Sequence, residues 1–336
     1  MIIEKNISLK PHTTFKIGGE AKFFVKLKNI SEIEKIITLK EEENLPIFVL
    51  GGGSNIIVSD DKLNLIVVKN EILGKEIISE EKDFVILKIG AGENWDDFVL
   101  YCVENNFSGL EALSFIPGTV GGAPIQNIGA YGEEVGNLIE SVEVYDTLDK
   151  KFKNFSKKDC EFSYRDSIFK KNPNRYIVIY VLFKLFKNKE IKIPNYPGVK
   201  DFLNFSNVTI KDIRETIIKI RSSKLPDPKI IPNVGSFFKT PIVSKIFFEE
   251  LKEKYPDIKF FNSGDEFKIP AGWLLEKAGL KGQSFEKISV YENNALVLVN
   301  KNDGTFEEVL KTKNEIIEKI KENFGITLEM EPVIVR

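Results

Sequence analysis

At 336 residues the chain exceeds what one hydrophobic core comfortably serves, so two or three domains are expected. A composition of 42% hydrophobic and 29% charged residues is that of an ordinary soluble globular protein, and a formal net charge of −2 leaves no basic field to recommend nucleic acid as a partner. A single histidine, His12, with two distant cysteines, Cys102 and Cys160, disfavours a zinc site and a histidine-based hydrolase; neither G-x-S-x-G nor G-x-x-x-x-G-K-[ST] occurs.

The N-terminus, MIIEKNISLK, lacks the long apolar segment of a secretion signal, so a cytoplasmic protein is expected, and the two cysteines fit a reduced compartment. A strand is expected over 21–27. Ser31 with Glu34 reads as a capping box opening a helix that runs to about Glu43. An apolar strand over 46–50 then runs directly into Gly51, Gly52, Gly53, Ser54 and Asn55. Strand, helix, strand and glycine turn in that order form an α/β unit with its loop at the carboxyl end of a strand, where ligands gather. Consecutive glycines can converge their N–H groups on an anion, and Ser54 and Asn55 add side-chain donors. The alternative is a tight turn into 56–58.

Further strands are expected over 65–69, 77–78 and 84–89. Gly90-Ala91-Gly92 follows the last of these and precedes a helix over 94–105, but the third glycine of a dinucleotide fingerprint would fall at Trp95, so no such site is assigned there. The stretch 109–132, GLEALSFIPGTVGGAPIQNIGAYG, holds six glycines in 24 residues with almost no charge. A flexible linker would be polar; this one reads as backbone folded closely around something flat and phosphate-bearing, or as a buried turn region between domains.

Strands over 141–145 and 176–186 flank FSYRDS, in which Arg165 is either a surface ion pair or a positioned cation for a substrate carboxylate. The longest apolar run, near 176–183, is too short to span a bilayer and reads as a buried strand. A helix over 210–223 ends at the prolines of KLPDPK, and a domain boundary is expected between Ile210 and Asn233. The last third is read as a repeat of the α/β pattern, with helices over 243–255, 272–278 and 305–324, the last opened by a Thr305 and Glu308 capping box. Strands are expected over 295–299 and 327–335. In the latter, Glu329 and Glu331 would share a face.

The segments GGGSN, GLEALSFIPGTVGGAPIQNIGAYG, FSYRDSIFK, RSSKLPDPK, GSFFKTP, AGWLLEKAGLKG and LEMEP, in this order from about Leu9 to the C-terminus, resemble the UDP-N-acetylenolpyruvoylglucosamine reductase family. The resemblance implies an α+β fold: a two-lobed FAD-binding domain of the vanillyl-alcohol oxidase type followed by an α/β substrate-binding domain. The lobes would be 1–67, joined by the C-terminal strand 327–336, and 68–222, with the substrate domain at 223–326. It further implies a flavoprotein of peptidoglycan precursor synthesis in which NADPH reduces FAD, and flavin N5 then gives a hydride to the methylene carbon of an enolpyruvyl UDP-sugar. Both small molecules would use one cleft, and the enzyme would be a monomer with no metal, nucleic-acid or membrane partner.

Carried over residue by residue, the resemblance puts Gly51, Gly52, Gly53, Ser54 and Asn55 around the FAD diphosphate. Ile116, Pro117, Gly118, Thr119, Gly121, Gly122, Gln126, Asn127, Gly129, Ala130 and Tyr131 would support the rest of the cofactor. Arg165 and Glu331 would stabilise the enolate-like intermediate, and Ser236 would protonate it, helped by Lys224 or Lys239. An ungapped match of 328–332 selects Glu331 over Glu329. Tyr196, on the loop IPNY, would close over the substrate, and Lys224, Lys239, Thr240 and Asn294 would contact it. Thr240 stands where relatives often carry asparagine, Asn294 where glutamine is frequent, and Pro332 where valine is usual. Competing readings are an FAD oxidoreductase for another small substrate, disfavoured because His12 and Cys102 are poorly placed to tether a flavin, and a non-catalytic nucleotide-binding module.

Overall fold

The computed structural model describes the chain except residues 188–190, 195, 197, 200–202 and 204–206. Two compact units emerge. The first comprises Met1–Ile7, Ala21–Gly53 and Asn64–Arg221; the second comprises Ser8–Glu20, Ser54–Leu63 and Ser222–Arg336.

In the first unit a four-stranded sheet has the order Ile3–Ser8, Glu20–Leu27, Leu63–Asn70, Ile47–Leu50. The last two strands run parallel, with Leu50 opposite Lys69. Between Glu20–Leu27 and Ile47–Leu50 the helix Ile33–Glu43 buries Ile33, Ile36 and Ile37 against the sheet and ends at Asn44 in the left-handed conformation. The helix start departs from the expected Ser31 and Glu34 box. Glu32 instead accepts from the N–H groups of Lys28 (3.0 Å) and Asn29 (3.1 Å), so Asn29 caps a 3₁₀ turn over Ile30–Glu32 that leads into the helix. Two capping patterns overlap here, and the one formed by Asn29 and Glu32 is the one made.

A five-stranded antiparallel sheet follows, ordered Lys151–Ser156, Ile139–Asp146, Tyr176–Phe186, Phe84–Gly90, Lys75–Glu80. The strand Tyr176–Phe186 is its central strand, fully buried over 177–179, with Val181, Phe183 and Leu185 buried on one face beyond that and Tyr180, Leu182 and Lys184 half-buried on the other. Trp95–Glu104, capped by Asn94, packs Trp95, Phe98 and Val99 onto it. Gly90 and Gly92 are packing glycines: a Cβ on either would fall within 2.6 Å of the 71–72 backbone, which agrees with assigning no dinucleotide site there. Cys102 and Cys160 are free thiols in this core.

Asp146 anchors one end of the sheet. Its side chain is fully buried and accepts from Arg175 Nε (3.1 Å) and Nη2 (2.8 Å), Lys153 Nζ (2.7 Å) and the Leu148 N–H (3.0 Å). Burial alone would raise its pKa, but these donors outweigh it and hold the carboxyl well below the usual carboxylate range. A depressed folded pKa gives stability that is complete above the unfolded value of about 4 and is lost as the pH falls below it. Because Arg175 and Lys153 reach solvent, Asp146→Asn is expected to cost only about 1–2 kcal/mol at pH 7. Urea unfolding should show that gap beginning to narrow below about pH 4 and shrinking further as the pH falls towards the lower, folded-state value; a gap unchanged with pH would refute the account.

The second unit holds an antiparallel sheet ordered Asn233–Ser236, Val297–Asn300, Ile288–Val290, Ser284–Phe285, and a smaller one ordered Ile242–Ser244, Glu266–Lys268, Phe261–Ser263. The expected repeat of the α/β pattern is therefore corrected to antiparallel hairpins with helices packed against them. Phe306–Phe324 opens on the expected Thr305 and Glu308 box, closes on Gly325, and buries Val309, Ile316 and Ile320 in a core shared with Phe237, Phe238 and Leu274. Among the described residues no helix is long and apolar enough to cross a membrane.

Candidate active site

In the first unit the strand Ile47–Leu50 delivers the chain to Gly51 and Gly52, which face the second glycine-rich stretch. A Cβ on Gly52 would lie 2.6 Å from Gly118 Cα, and one on Gly51 would lie 2.7 Å from Thr119 Oγ1. Gly53 (φ +65°) and Gly118 (φ +133°) both occupy conformations that favour glycine. The Gly118 carbonyl accepts from the Trp95 N–H (3.2 Å), and the Val120 and Gly121 N–H groups donate to Glu93 (2.9 Å) and Ala91 (2.8 Å). These last two amides are thus engaged within the protein, and Gly121 is needed for packing, because its Cβ would stand 2.6 Å from that of Ala91. The pair of loops is bare of bulk. Around it stand the Thr119 hydroxyl and the Lys69 ammonium, which donates to the Gly51 carbonyl. A cradle of glycine backbone flanked by a hydroxyl and an ammonium fits a diphosphate-bearing cofactor. Ser54 and Asn55 lead out of the loop into Ile56–Val58, Ile116 is half-buried against the core, and Pro117 is exposed.

The stretch continues through Gln126 to Asn127, which is buried with φ +46°. Asn127 Nδ2 donates to Glu134 Oε2 (2.8 Å) and to the Ser163 carbonyl (3.1 Å), and Oδ1 accepts from the Gly136 N–H (2.8 Å). Its amide is spent inside the protein, tying the glycine-rich stretch to the turn that carries Arg165. In that turn Ser163 and Asp166 exchange both backbone hydrogen bonds at 3.1 Å, and Arg165 takes φ +56°. Lys170 Nζ donates to the Arg165 carbonyl (2.9 Å), and the guanidinium donates to Gly129 O (3.0 Å) while lying over the Tyr164 ring. Gly129 is needed here, since its Cβ would meet Glu133 O at 2.9 Å and Arg165 Nη1 at 3.3 Å. Ala130 pairs with Glu133 in a short hairpin.

Tyr131 (φ +53°) meets Tyr196 edge to face with ring centroids 4.9 Å apart. Arg221 donates to the Tyr131 hydroxyl and to the Phe115 carbonyl (3.1 Å). Burial pushes the Tyr131 hydroxyl up from its ordinary pKa, and Arg221 pulls it back in part. Asn195, beside Tyr196 in sequence, lies outside the described residues.

In the second unit, Asn233 pairs with Val299 and Ser236 with Val297, so the strand Asn233–Ser236 carries one extra residue at Val234 and Gly235. Gly235 takes φ +72°, and its N–H donates to Asn233 Oδ1 (2.9 Å). The bulge re-aims Ser236 relative to a regular strand. Immediately after it the chain pairs with the C-terminal segment: Glu331 N–H donates to Phe237 O (2.9 Å) and Lys239 N–H to Glu329 O (2.9 Å). Ser236 therefore precedes the residue that holds Glu331 in place.

The two carboxylates do not share one environment, which corrects the expectation of a strand over 327–335. Glu331 is buried, 8% exposed, whereas Glu329 is exposed and paired with Lys239 (3.0 Å). Regular pairing is confined to a bridge at Met330 and the strand Val333–Val335, because Pro332 between them has no N–H for a ladder. Lys239 thus holds Glu329, Lys224 ends the helix Ile210–Lys224 in an exposed position, and Thr240 follows Lys239 half-buried. Asn294 shapes the turn before Val297–Asn300, accepting from the Leu296 N–H (3.0 Å). Sequence reading missed Lys69, Lys170 and Arg221; a lysine closing an otherwise apolar strand was the one available signal.

Residues 21–150 match the family described as FAD binding domain, and with the two glycine loops this makes the chain a flavoprotein oxidoreductase. Residues 227–335 match the C-terminal domain of UDP-N-acetylenolpyruvoylglucosamine reductase. Enzymes of that name from Flavobacterium johnsoniae and Pseudomonas aeruginosa are 43% and 36% identical, each covering 98% of this chain, with 99% and 98% of their own lengths matched. The crystal structure of the Thermus caldophilus reductase of the same kind shares the fold over the whole of both chains, with TM-score 0.69 at 24% identity. The chain belongs to the UDP-N-acetylenolpyruvoylglucosamine reductase family.

Proposed function

We propose that this chain reduces UDP-N-acetylglucosamine enolpyruvate to UDP-N-acetylmuramate with electrons from NADPH, a step of peptidoglycan precursor synthesis. The observation that carries this reading is the bulged strand at Ser236 followed by pairing of 237–239 with 329–331, which sets a hydroxyl beside the strand partner of a buried carboxylate. Relatives named for that reduction support it. The glycine loops at Gly51–Gly53 and Gly118–Gly122 would hold FAD, which when bound would supply two-electron transfer between NADPH and the enolpyruvyl group of the substrate.

In this reading Gly51–Gly53, Ser54 and Asn55 hold the cofactor diphosphate, and 116–122 and 126–131 support the remainder. Arg165 supplies positive charge where negative charge develops, its guanidinium oriented in advance by Gly129 and its turn braced by Lys170 and Asn127. Glu331 is the second group at the intermediate. Ser236 holds the proton on Oγ and delivers it to the carbon next to the substrate carboxylate. Tyr196, Lys224, Lys239, Thr240 and Asn294 bind the substrate. Residues 1–67 with the C-terminal strand, and 68–222, serve as cofactor lobes and 223–326 as the substrate domain, in a cytoplasmic monomer.

The test is the visible spectrum of the purified protein under anaerobic conditions. NADPH should bleach the flavin band, and the enolpyruvyl sugar nucleotide should restore it. A band that bleaches without returning would redirect the assignment to another oxidant; a protein unable to take up FAD would overturn it.

A further inference from the structure

Lys69 occupies an unusual place for a lysine. It is the penultimate residue of the strand Leu63–Asn70, where Ile66 and Val68 enter the core with Ile36 and Ile47 while Leu65 and Val67, on the face Lys69 shares, are also buried. The parallel register sets it opposite Leu50, the last residue before the glycine loop, and its ammonium turns onto the Gly51 carbonyl. Among the described residues that carbonyl is its only hydrogen-bond partner, and no carboxylate comes within ion-pairing distance. Glu71, two residues on, is instead 3.9 Å from Lys28 and reaches Lys69 only through its longer-range field. Burial disfavours the charged form of Lys69 accordingly.

An ammonium has three donors, and one carbonyl satisfies one of them. A partly buried cation without an anion is costly, whereas a compact, orientable ammonium is well suited to a phosphate oxygen. The loop beside it is the one read above as the cradle of the cofactor diphosphate, and the inference rests on that reading. We infer that Lys69 is the counter-charge of the diphosphate: the loop backbone shapes the cradle, and the ammonium, bridging Gly51 O and a phosphate oxygen, neutralises the bound anion and stiffens the loop around it.

The experiment is titration of the flavin-free full-length protein with FAD, followed by flavin fluorescence at two ionic strengths. Lys69→Met should weaken FAD binding by about tenfold or more, the usual worth of a hydrogen bond to a charged group, and should make the affinity less salt-sensitive. Lys69→Arg should stay within a few-fold of the parent. An unchanged FAD affinity in Lys69→Met, or a weaker one with the parent's salt sensitivity, overturns the inference.

Gly52→Ala separates this from the reading beneath it. If Gly52→Ala loses affinity while Lys69→Met does not, only the role of the lysine fails; if both bind FAD as the parent does, the assignment of the loop fails as well. Should Lys69→Met not fold, acetylation of the parent protein, mapped by mass spectrometry, decides instead. FAD should protect Lys69, and equal labelling with and without FAD overturns the inference.

Discussion

In a Ser236→Ala variant, NADPH is expected to bleach the flavin at close to the parent rate, while return of the band on adding the enolpyruvyl sugar nucleotide slows by about 10²- to 10⁴-fold. The asymmetry follows from what is removed. The change deletes one hydroxyl at a half-buried position, leaves Gly235 and the bulge in place, and opens no large cavity, so folding and FAD uptake should be little affected. Only the step that needs a proton at carbon loses its donor. Stopped-flow absorbance of the two half-reactions, taken separately, is the measurement; equal slowing of both would remove Ser236 from the proton-donor role.

Gly52→Ala is expected to leave the protein short of flavin. The new methyl would lie 2.6 Å from Gly118 Cα and 3.2 Å from its carbonyl carbon, and both contacts are backbone, so no side chain can swing aside. One of the two loops must move. A strain of about 2–3 kcal/mol, typical of overpacking, corresponds to roughly 30- to 150-fold in FAD affinity if it falls on the loop that holds the cofactor. Gly272→Ala is the control: it lies in the helix Ala271–Lys277, where its Cβ would find only Leu296 Cβ at 3.9 Å, and it should keep full flavin content. Flavin retained at the parent stoichiometry and affinity in Gly52→Ala would show that the loops tolerate the methyl and are not the cofactor cradle.

Local chemistry announced much of the architecture. Phe306–Phe324 was readable end to end, from the Thr305 and Glu308 box through its apolar stripe to Gly325, because capping and 3.6-residue periodicity are properties of adjacent residues. Tyr176–Phe186 was readable as a buried strand from its apolar run over 176–183. Lys151–Ser156 passed unread, since its two apolar residues, Phe152 and Phe155, lie three apart and so miss the two-residue alternation that marks a strand. The overlapping Asn29 and Ser31 capping patterns could not be ranked from sequence, and the strand expected over 327–335 was interrupted by Pro332.

The sequence by itself determined the chemistry available: a chain nearly devoid of histidine, two glycine-rich stretches, one arginine between tyrosine and aspartate, a serine after glycine, and two glutamates near the end. Tertiary structure decided how each would be used. It set Gly52 against Gly118, spent the Asn127 amide on bracing the Arg165 turn, buried Glu331 while leaving Glu329 to Lys239, and set the Lys69 ammonium on the Gly51 carbonyl with no carboxylate paired to it among the described residues. The division has a physical cause. Propensity, capping and periodicity act over a few residues, whereas burial, ion pairing and backbone contact depend on segments far apart in the chain, brought together only when the core closes.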